Sequence, residues 1–555
     1  MKRALLVGLL CALGSAAPDD SPSVEGRWNS ISRSAVARNS PDNTKGIDRD
    51  GSEQLPVNFL VGAGLSACQA EGAWNEEGKA ESVLDSVVHV KDNQMFPNNS
   101  DVSADHYHRY VEDLALAGQM KLNSFRFSIS WSRVLPSGDA SKPNEEGVNF
   151  YRRYIDAVLR NGMEPMVTMY HFDHPFSLEK ELNGWGSPAM VDKFVEYAGF
   201  LFKTFGQKVK YWVTMNEPNN YCVYFPTVLA TLGLAPADED VTYRCMHHMN
   251  LAHARAYRLY KETYYDSQKG RVGSSVLVWP AVPASTRSED VLASDAFMQL
   301  FSGTVVHPLV YGDYSEATRF LVDMRNAERG LTESRLPFFN ETEKQLLQGG
   351  ATDFIALNVY NSYTVAYDHG TTGGDRMPRL LRAIEDDLPF VRMAAGDEYD
   401  ETGADEFVMH DALMWTWNAY HLPIAVTENG FADVKSLWVK DTVRAAFHST
   451  NLRSLMATMK QYDVQVFAYY AWALLDIFEF TAGFSRNFGL VHVDYDSGSL
   501  NRTLKYSSTF FREMMESGRV PYVQPPGKSH SSTVSPSGIL LFALATCAFA
   551  TFNKR

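Results

Sequence analysis

Eight apolar runs alternate with helix-patterned stretches along the middle of the chain, and this alternation narrows the fold more than any other feature. The runs are Asn58-FLVGAG, Ser124-FRFSIS, Glu164-PMVTMYH, Lys210-YWVTMNE, Arg271-VGSSVLV, Asp353-FIALNVY, Leu422-PIAVTEN and Val464-QVFAYYAW. They are near-continuous rather than alternating, as expected of parallel strands covered on both faces. Helical stretches such as Asp105-HYHRYVEDLALAG, Asn144-EEGVNFYRRYIDAVLRNG and Ser187-PAMVDKFVEYAGFLFKTF separate them. The last carries Ser187 as an N-cap and Pro188 at the first helical position. Eight strands with intervening helices predict an α/β fold, a single (β/α)8 TIM barrel spanning 56–523. No internal repeat or second domain is visible, and the long connections 279–350 and 361–415 read as loop insertions.

The two ends read as addresses. Met1-Lys2-Arg3 followed by ALLVGLLCALGSA has the basic, apolar and small-residue order of a signal peptide over 1–16. Residues 17–55 are rich in Ser, Asp, Asn and Pro without periodicity and read as a disordered or pro-segment leader. Residues 524–555 form a polar spacer and an apolar tail, the pattern of a GPI-attachment signal. An uncleaved anchor is the alternative, although the apolar stretch 539–552 is shorter than the about 20 residues that span a bilayer. Both ends predict a protein that is secreted or held on the outer face of the plasma membrane. The three sequons, at Asn98, Asn340 and Asn501, suit such a surface.

The 555 residues carry a net charge of −15, which argues against a nucleic-acid partner because phosphates require a Lys/Arg excess. No cysteine pair has metal-ligand spacing, and no cofactor is implied. Cys222 and Cys245 flank one region and could bridge, which leaves Cys68 as a single buried thiol. Cys11 and Cys547 fall in the two end segments.

Polar residues gather at the strand ends. Strand three ends in His171, strand four in Asn216 and Glu217, and strand six in Asn358 and Tyr360. Strand seven ends in Glu428, strand eight in Trp472, and Gln69 follows strand one. A buried carboxylate without a use costs several kcal/mol. Singly, each residue has a plain structural reading: His171 a satisfied core histidine, Trp472 packing, Asn358 a loop cap. The C-terminal ends of barrel strands, however, form one functional face, so all of them converge. Two carboxyls among amides and aromatics suit glycoside hydrolysis, where one protonates the leaving oxygen and the other meets the oxocarbenium-like centre.

The motifs Gln69-Ala-Glu-Gly-Ala-Trp74, Arg126-Phe-Ser-Ile-Ser-Trp-Ser-Arg133, Thr214-Met-Asn-Glu-Pro218 and Thr427-Glu-Asn-Gly430 resemble glycoside hydrolase family 1, the β-glucosidase family. So do Ala471-Trp-Ala-Leu-Leu-Asp-Ile-Phe-Glu-Phe480 and Asn487-Phe-Gly-Leu-Val-His-Val-Asp494, in the family's order. The resemblance implies Glu217 as acid/base and Glu428 as nucleophile, with Arg126 and Tyr360 bonding the nucleophile. It implies Asn216 on the sugar 2-hydroxyl, and Gln69, His171, Trp472 and Glu479 in the glycone pocket. A split in acidity would follow, with Glu217 desolvated and Glu428 beside Arg126.

Some positions depart from that pattern. Phe480 stands where the family usually has Trp, so one N–H donor is missing. His171-Phe-Asp-His-Pro175 replaces the more frequent His-Trp-Asp-Leu-Pro, and Leu277 lies where a polar residue is common. These changes loosen the expectation of strict glucose specificity. The implied partner is a small β-glycoside or oligosaccharide. Thioglucosidase activity and a non-catalytic glycan- or partner-binding barrel are the alternatives, and retention of both glutamates weighs against the second.

Overall fold

All eight apolar runs become strands, and their hydrogen bonds close in sequence order. The computed structural model describes residues 53–525 other than 371–375, 379–380, 395–404, 406 and 434–438. The strands are β1 (Leu60–Leu65), β2 (Ser124–Ser128), β3 (Glu164–Tyr170), β4 (Tyr211–Met215), β5 (Arg271–Val278), β6 (Phe354–Val359), β7 (Ile424–Asn429) and β8 (Val466–Trp472). Each pairs in parallel with the next, and β8 returns to β1 through Ala468↔Leu60 to Trp472↔Gly64. No barrel edge is left unpaired.

The barrel interior is filled rather than hollow. Met166, Val213, Phe354, Ala356, Ala425, Ala468 and Tyr470 form a buried cluster inside it. Tyr470 needs room across the barrel, and Gly62 provides it: a Cβ there would meet the Tyr470 ring at 2.6 Å and Ser124 O at 2.5 Å. The phenol ends 2.6 Å from Ser124 Oγ, so its polar tip is partnered.

Outside lie α1 (His106–Gln119), α2 (Glu145–Arg160), α3 (Ala189–Phe205), α4 (Pro218–Thr231), α5 (Val241–Leu259), α6 (Phe407–Tyr420), α7 (Thr442–Tyr462) and α8 (Tyr506–Ser517). In α2, Val148, Tyr151, Tyr154, Ile155 and Val158 recur at helical spacing and are buried, while Arg152 and Arg153 face water. Helix α3 starts one residue later than the sequence suggests, at Ala189, yet its N–H still donates to Ser187 Oγ at 3.3 Å.

The connections 279–350 and 361–415 are insertions on the barrel, as the sequence suggests, and they carry secondary structure of their own. The first carries helices Ser288–Met298, Thr304–Tyr311, Glu316–Glu328 and Glu341–Leu347. Strand Tyr363–Tyr367 from the second sits between Ala281–Pro283 (parallel) and Val391–Ala394 (antiparallel). The missed signals were caps: Ser315 Oγ accepts from Thr318 N, and Asn340 with Glu343 makes a reciprocal capping box. Cys68 is half-buried rather than buried, and its thiol donates to His171 O at 3.2 Å.

Glu53–Gln54 pairs antiparallel with Arg519–Val520 and Leu55 N–H donates to Gly518 O at 2.9 Å, so the last three residues assigned to the leader belong to the folded part. The segments 1–16 and 17–52 and the tail from 526 lie outside the described residues, as do Cys11 and Cys547. Among the described residues no helix is long and apolar enough to cross a membrane.

Cys222 of α4 and Cys245 of α5 are bonded, 23 positions apart, with a Cα–Cα distance of 5.6 Å. Closing a loop of this size removes about 3 kcal/mol of unfolded-state entropy. A Cys222→Ser/Cys245→Ser variant is therefore expected to melt at a lower temperature than the parent. An unchanged melting temperature would show that the bond adds no stability.

Candidate active site

The upper ends of β2, β3, β4, β6, β7 and β8 place their last polar side chains around one buried cluster. Its centre is Arg126 on β2. Nη1 donates to Glu428 Oε1 at 2.6 Å and to Thr427 O at 3.2 Å. Nη2 donates to Asn216 Oδ1 at 2.7 Å, and Nε to Thr168 Oγ1 at 3.1 Å. The guanidinium and the Glu428 carboxylate are 2% and 5% exposed, so solvent does little to screen the pair. Tyr360 donates to the other Glu428 oxygen at 2.6 Å.

Glu217 is held differently. It follows β4 by two residues, caps α4 and has φ 45°, a left-handed conformation unfavourable for a side chain of its kind. Its N–H donates to Ser275 O of β5 at 2.9 Å, which fixes this turn. Asn358 Nδ2 donates to Glu217 Oε1 at 2.7 Å, and Asn220 Nδ2 to Oε2 at 2.8 Å. Both donors are neutral. Burial, and then the charge of Glu428, push the Glu217 carboxyl up to about 7, against the lowering effect of the two amides and Arg126. The register pairs Glu428 with Asn358 across β7 and β6, so both carboxyls meet at one strand junction.

Asn358 is oriented by its neighbours. Its Oδ1 accepts from Ser275 Oγ at 2.9 Å and from Thr427 Oγ1 at 2.7 Å, which turns Nδ2 toward Glu217 and Asn216. Asn216 Nδ2 in turn donates to His171 Nε2 at 3.3 Å. Burial, reinforced by Arg126, keeps this imidazole neutral.

A second group adjoins the first. Gln69 Nε2 donates to Glu479 Oε2 at 3.1 Å and to Phe478 O at 2.8 Å, while Ser66 Oγ donates to Gln69 Oε1 at 2.7 Å. Trp472 Nε1 donates to Glu479 Oε1 at 3.1 Å, and the His171 ring lies parallel to the indole at 5.8 Å. Burial pushes Glu479 up to about 8; donors Trp472 and Gln69 oppose the rise and Glu428 adds to it. At neutral pH it is mostly the acid, able to donate as well as accept. Phe480 packs against Phe172 at 5.9 Å and Phe478 at 6.3 Å with no polar tip.

The structure thus brings Gln69, Arg126, His171, Asn216, Glu217, Asn358, Tyr360, Glu428, Trp472 and Glu479 into one connected network, with Phe480 on its apolar flank. Leu277 is buried, and its backbone N–H and C=O are both taken by the Asn219 amide at 3.2 and 2.8 Å. Sequence reasoning missed Thr168, Ser275 and Thr427, which orient the central groups, and Asn220. Asn220 had one visible signal, its place in the first turn after Glu217. Asn98, Asn340 and Asn501 are exposed, and Asn98 packs against Gly483, whose carbonyl accepts from Glu479 N–H at 2.7 Å.

Residues 51–519 match the model of glycosyl hydrolase family 1. Beta-glucosidase 42 of Arabidopsis thaliana is 34% identical over 483 residues, covering 83% of this chain and 94% of that protein. An aphid myrosinase structure superposes with a TM-score of 0.77 at 32% identity, over 83% of this chain and 99% of that one. A mutant rice Os3BGlu6 beta-glucosidase, solved in a covalent complex with glucose, gives 0.73 at 30% identity over 83% and 99%. A family match over most of the length, on a closed eight-stranded barrel with two carboxyls at its mouth, establishes that the chain belongs to glycosyl hydrolase family 1 and is an O-glycosyl hydrolase.

Proposed function

We propose that the chain is a retaining β-glycosidase of β-glucosidase type, acting without a cofactor on small β-glycosides or oligosaccharides. One observation carries this reading: Glu217 and Glu428 belong to one buried hydrogen-bonded network but are held by opposite means, one between neutral amides and one against a guanidinium. Glu217 protonates the glycosidic oxygen while Glu428 attacks the anomeric carbon and forms a glycosyl ester. Glu217, now a carboxylate, takes a proton from water, which displaces Glu428 with net retention. The rice relative's covalent complex with glucose supports such an intermediate.

The remaining groups divide between orientation and grip. Arg126 and Tyr360 hold the nucleophile's two oxygens, and Asn216 faces the sugar 2-hydroxyl. Gln69, Glu479, Trp472 and His171 grip the other hydroxyls and the ring face.

Cleavage of S-glycosides is the second reading, supported by the similarity to the aphid myrosinase. An aglycone that leaves without protonation would have no need of Glu217, and the amides built around that carboxyl favour O-glycosides. A purely binding role would need neither glutamate. Secretion, with lipid attachment through the tail, belongs to the same proposal and rests on the end sequences. The Cys222–Cys245 bond and the exposed sequon asparagines suit an oxidising compartment.

Two experiments follow. The acid must be protonated, so kcat/KM should fall as pH rises through about 7, the value to which Glu217 is pushed. Glu217→Gln should lose that limb, lose most activity on poor leaving groups, and regain turnover of activated aryl glycosides with azide. Equal loss on all substrates without azide rescue would remove Glu217 from the role.

Phe480 generates the other expectation. One missing neutral hydrogen bond is worth on the order of 0.5–1.5 kcal/mol, roughly threefold to tenfold in preference. Appreciable β-galactosidase or β-fucosidase activity should accompany β-glucosidase activity, and Phe480→Trp should raise the glucoside-to-fucoside ratio of kcat/KM. A flat or falling ratio would refute the specificity argument.

A further inference from the structure

The first turn of α4 is capped in an unusual sense. In a reciprocal capping box the N-cap side chain accepts from the backbone N–H of the third helical residue. Here Glu217 is the N-cap and makes no such bond. Its carboxyl is turned out of the helix, and the bond runs between side chains: Asn220, the third helical residue, donates Nδ2 to Glu217 Oε2 at 2.8 Å. The helix start is secured by other means. Glu217 N–H goes to Ser275 O, Pro218 has no N–H to satisfy, and Asn219 clamps both backbone groups of Leu277. Asn220 is half-buried and is not needed to close the turn.

We infer that Asn220 is a positioning residue for the acid/base, holding the Glu217 carboxyl toward the leaving oxygen and favouring its deprotonated form. This deepens the proposed function and rests on it. Proton donation leaves a carboxylate that must then serve as base, and an amide donor on Oε2 binds that form better than the acid. The charged and titratable groups facing Glu217 are Glu428 of β7, Arg126 of β2 and Tyr360 after β6. Burial, and then the charge of Glu428, hold the proton on; Asn358, Asn220 and Arg126 oppose it. Of these, Arg126 also binds Glu428, and Asn358 also binds Asn216. Asn220 touches the acid/base without touching the nucleophile's partners, so it tunes one carboxyl alone.

The test is the pH profile of kcat/KM on an alkyl β-glucoside, whose poor leaving group requires the acid. Wild type should show a basic limb near 7 that Glu217→Gln abolishes. Asn220→Ala should move that limb upward by about half a pH unit or more, and Asn220→Asp further still, because a second carboxylate replaces the donor. An Asn220→Ala protein that hydrolyses the substrate and melts like wild type, but keeps its limb in place, overturns the inference. So does a uniform loss of rate at all pH values. If Asn220→Ala does not fold, Asn220→Leu preserves volume and is read in the same way. A wild-type protein that leaves β-glucosides intact, or a limb that survives Glu217→Gln, would instead overturn the proposed function.

Discussion

Arg126 and Glu428 are the charges on which the top of the barrel is organised. Each would be costly to bury alone, several kcal/mol after relaxation, and their mutual attraction offsets that cost only with further hydrogen bonds in good geometry. Those bonds are present: Thr168, Thr427 and Asn216 take three more guanidinium N–H groups, and Tyr360 donates to the second carboxylate oxygen. The pair therefore ties β2 to β7 across the barrel and fixes β3 and β4 through Thr168 and Asn216. Barrel closure makes this possible, since only parallel strands ending at one level bring such distant residues together.

The same pair adds to the chemistry of its neighbours. Burial does most to raise the proton affinity of Glu217 and Glu479, and the negative charge of Glu428 raises it further, while Arg126 opposes the rise at Glu217. Two of the three carboxyls gathered at this site are then biased toward the acid form. That is the division of labour a double displacement needs, with the extra acid available to sugar hydroxyls.

Much of this was legible in the sequence, for identifiable reasons. The eight strands were visible because parallel strands buried on both faces read as unbroken apolar runs. The two glutamates were visible because a carboxylate ending such a run is improbable unless it is used. The helices and small sheet within 279–415 were not, since their short apolar segments lack a sustained period and only the caps at Ser315 and Asn340 announce them. The roles of Ser275, Thr168 and Asn220 were hidden because each acts through a side chain distant in sequence or turned out of its helix. Hydroxyls and amides of that kind are too common for their type alone to signal a function.

The account turns on which carboxyl becomes bonded to sugar. Incubation with a 2-deoxy-2-fluoro-β-glucosyl fluoride, which slows turnover of a glycosyl ester, followed by intact-mass and peptide mapping, measures this directly. A single glycosyl adduct on the peptide containing Thr427-Glu428-Asn429, located at Glu428, is the predicted result. An adduct on Glu217 or on any other residue would contradict the assignment of Glu428 as the nucleophile and, with it, the reading of the Arg126 pair as the organising interaction of the site.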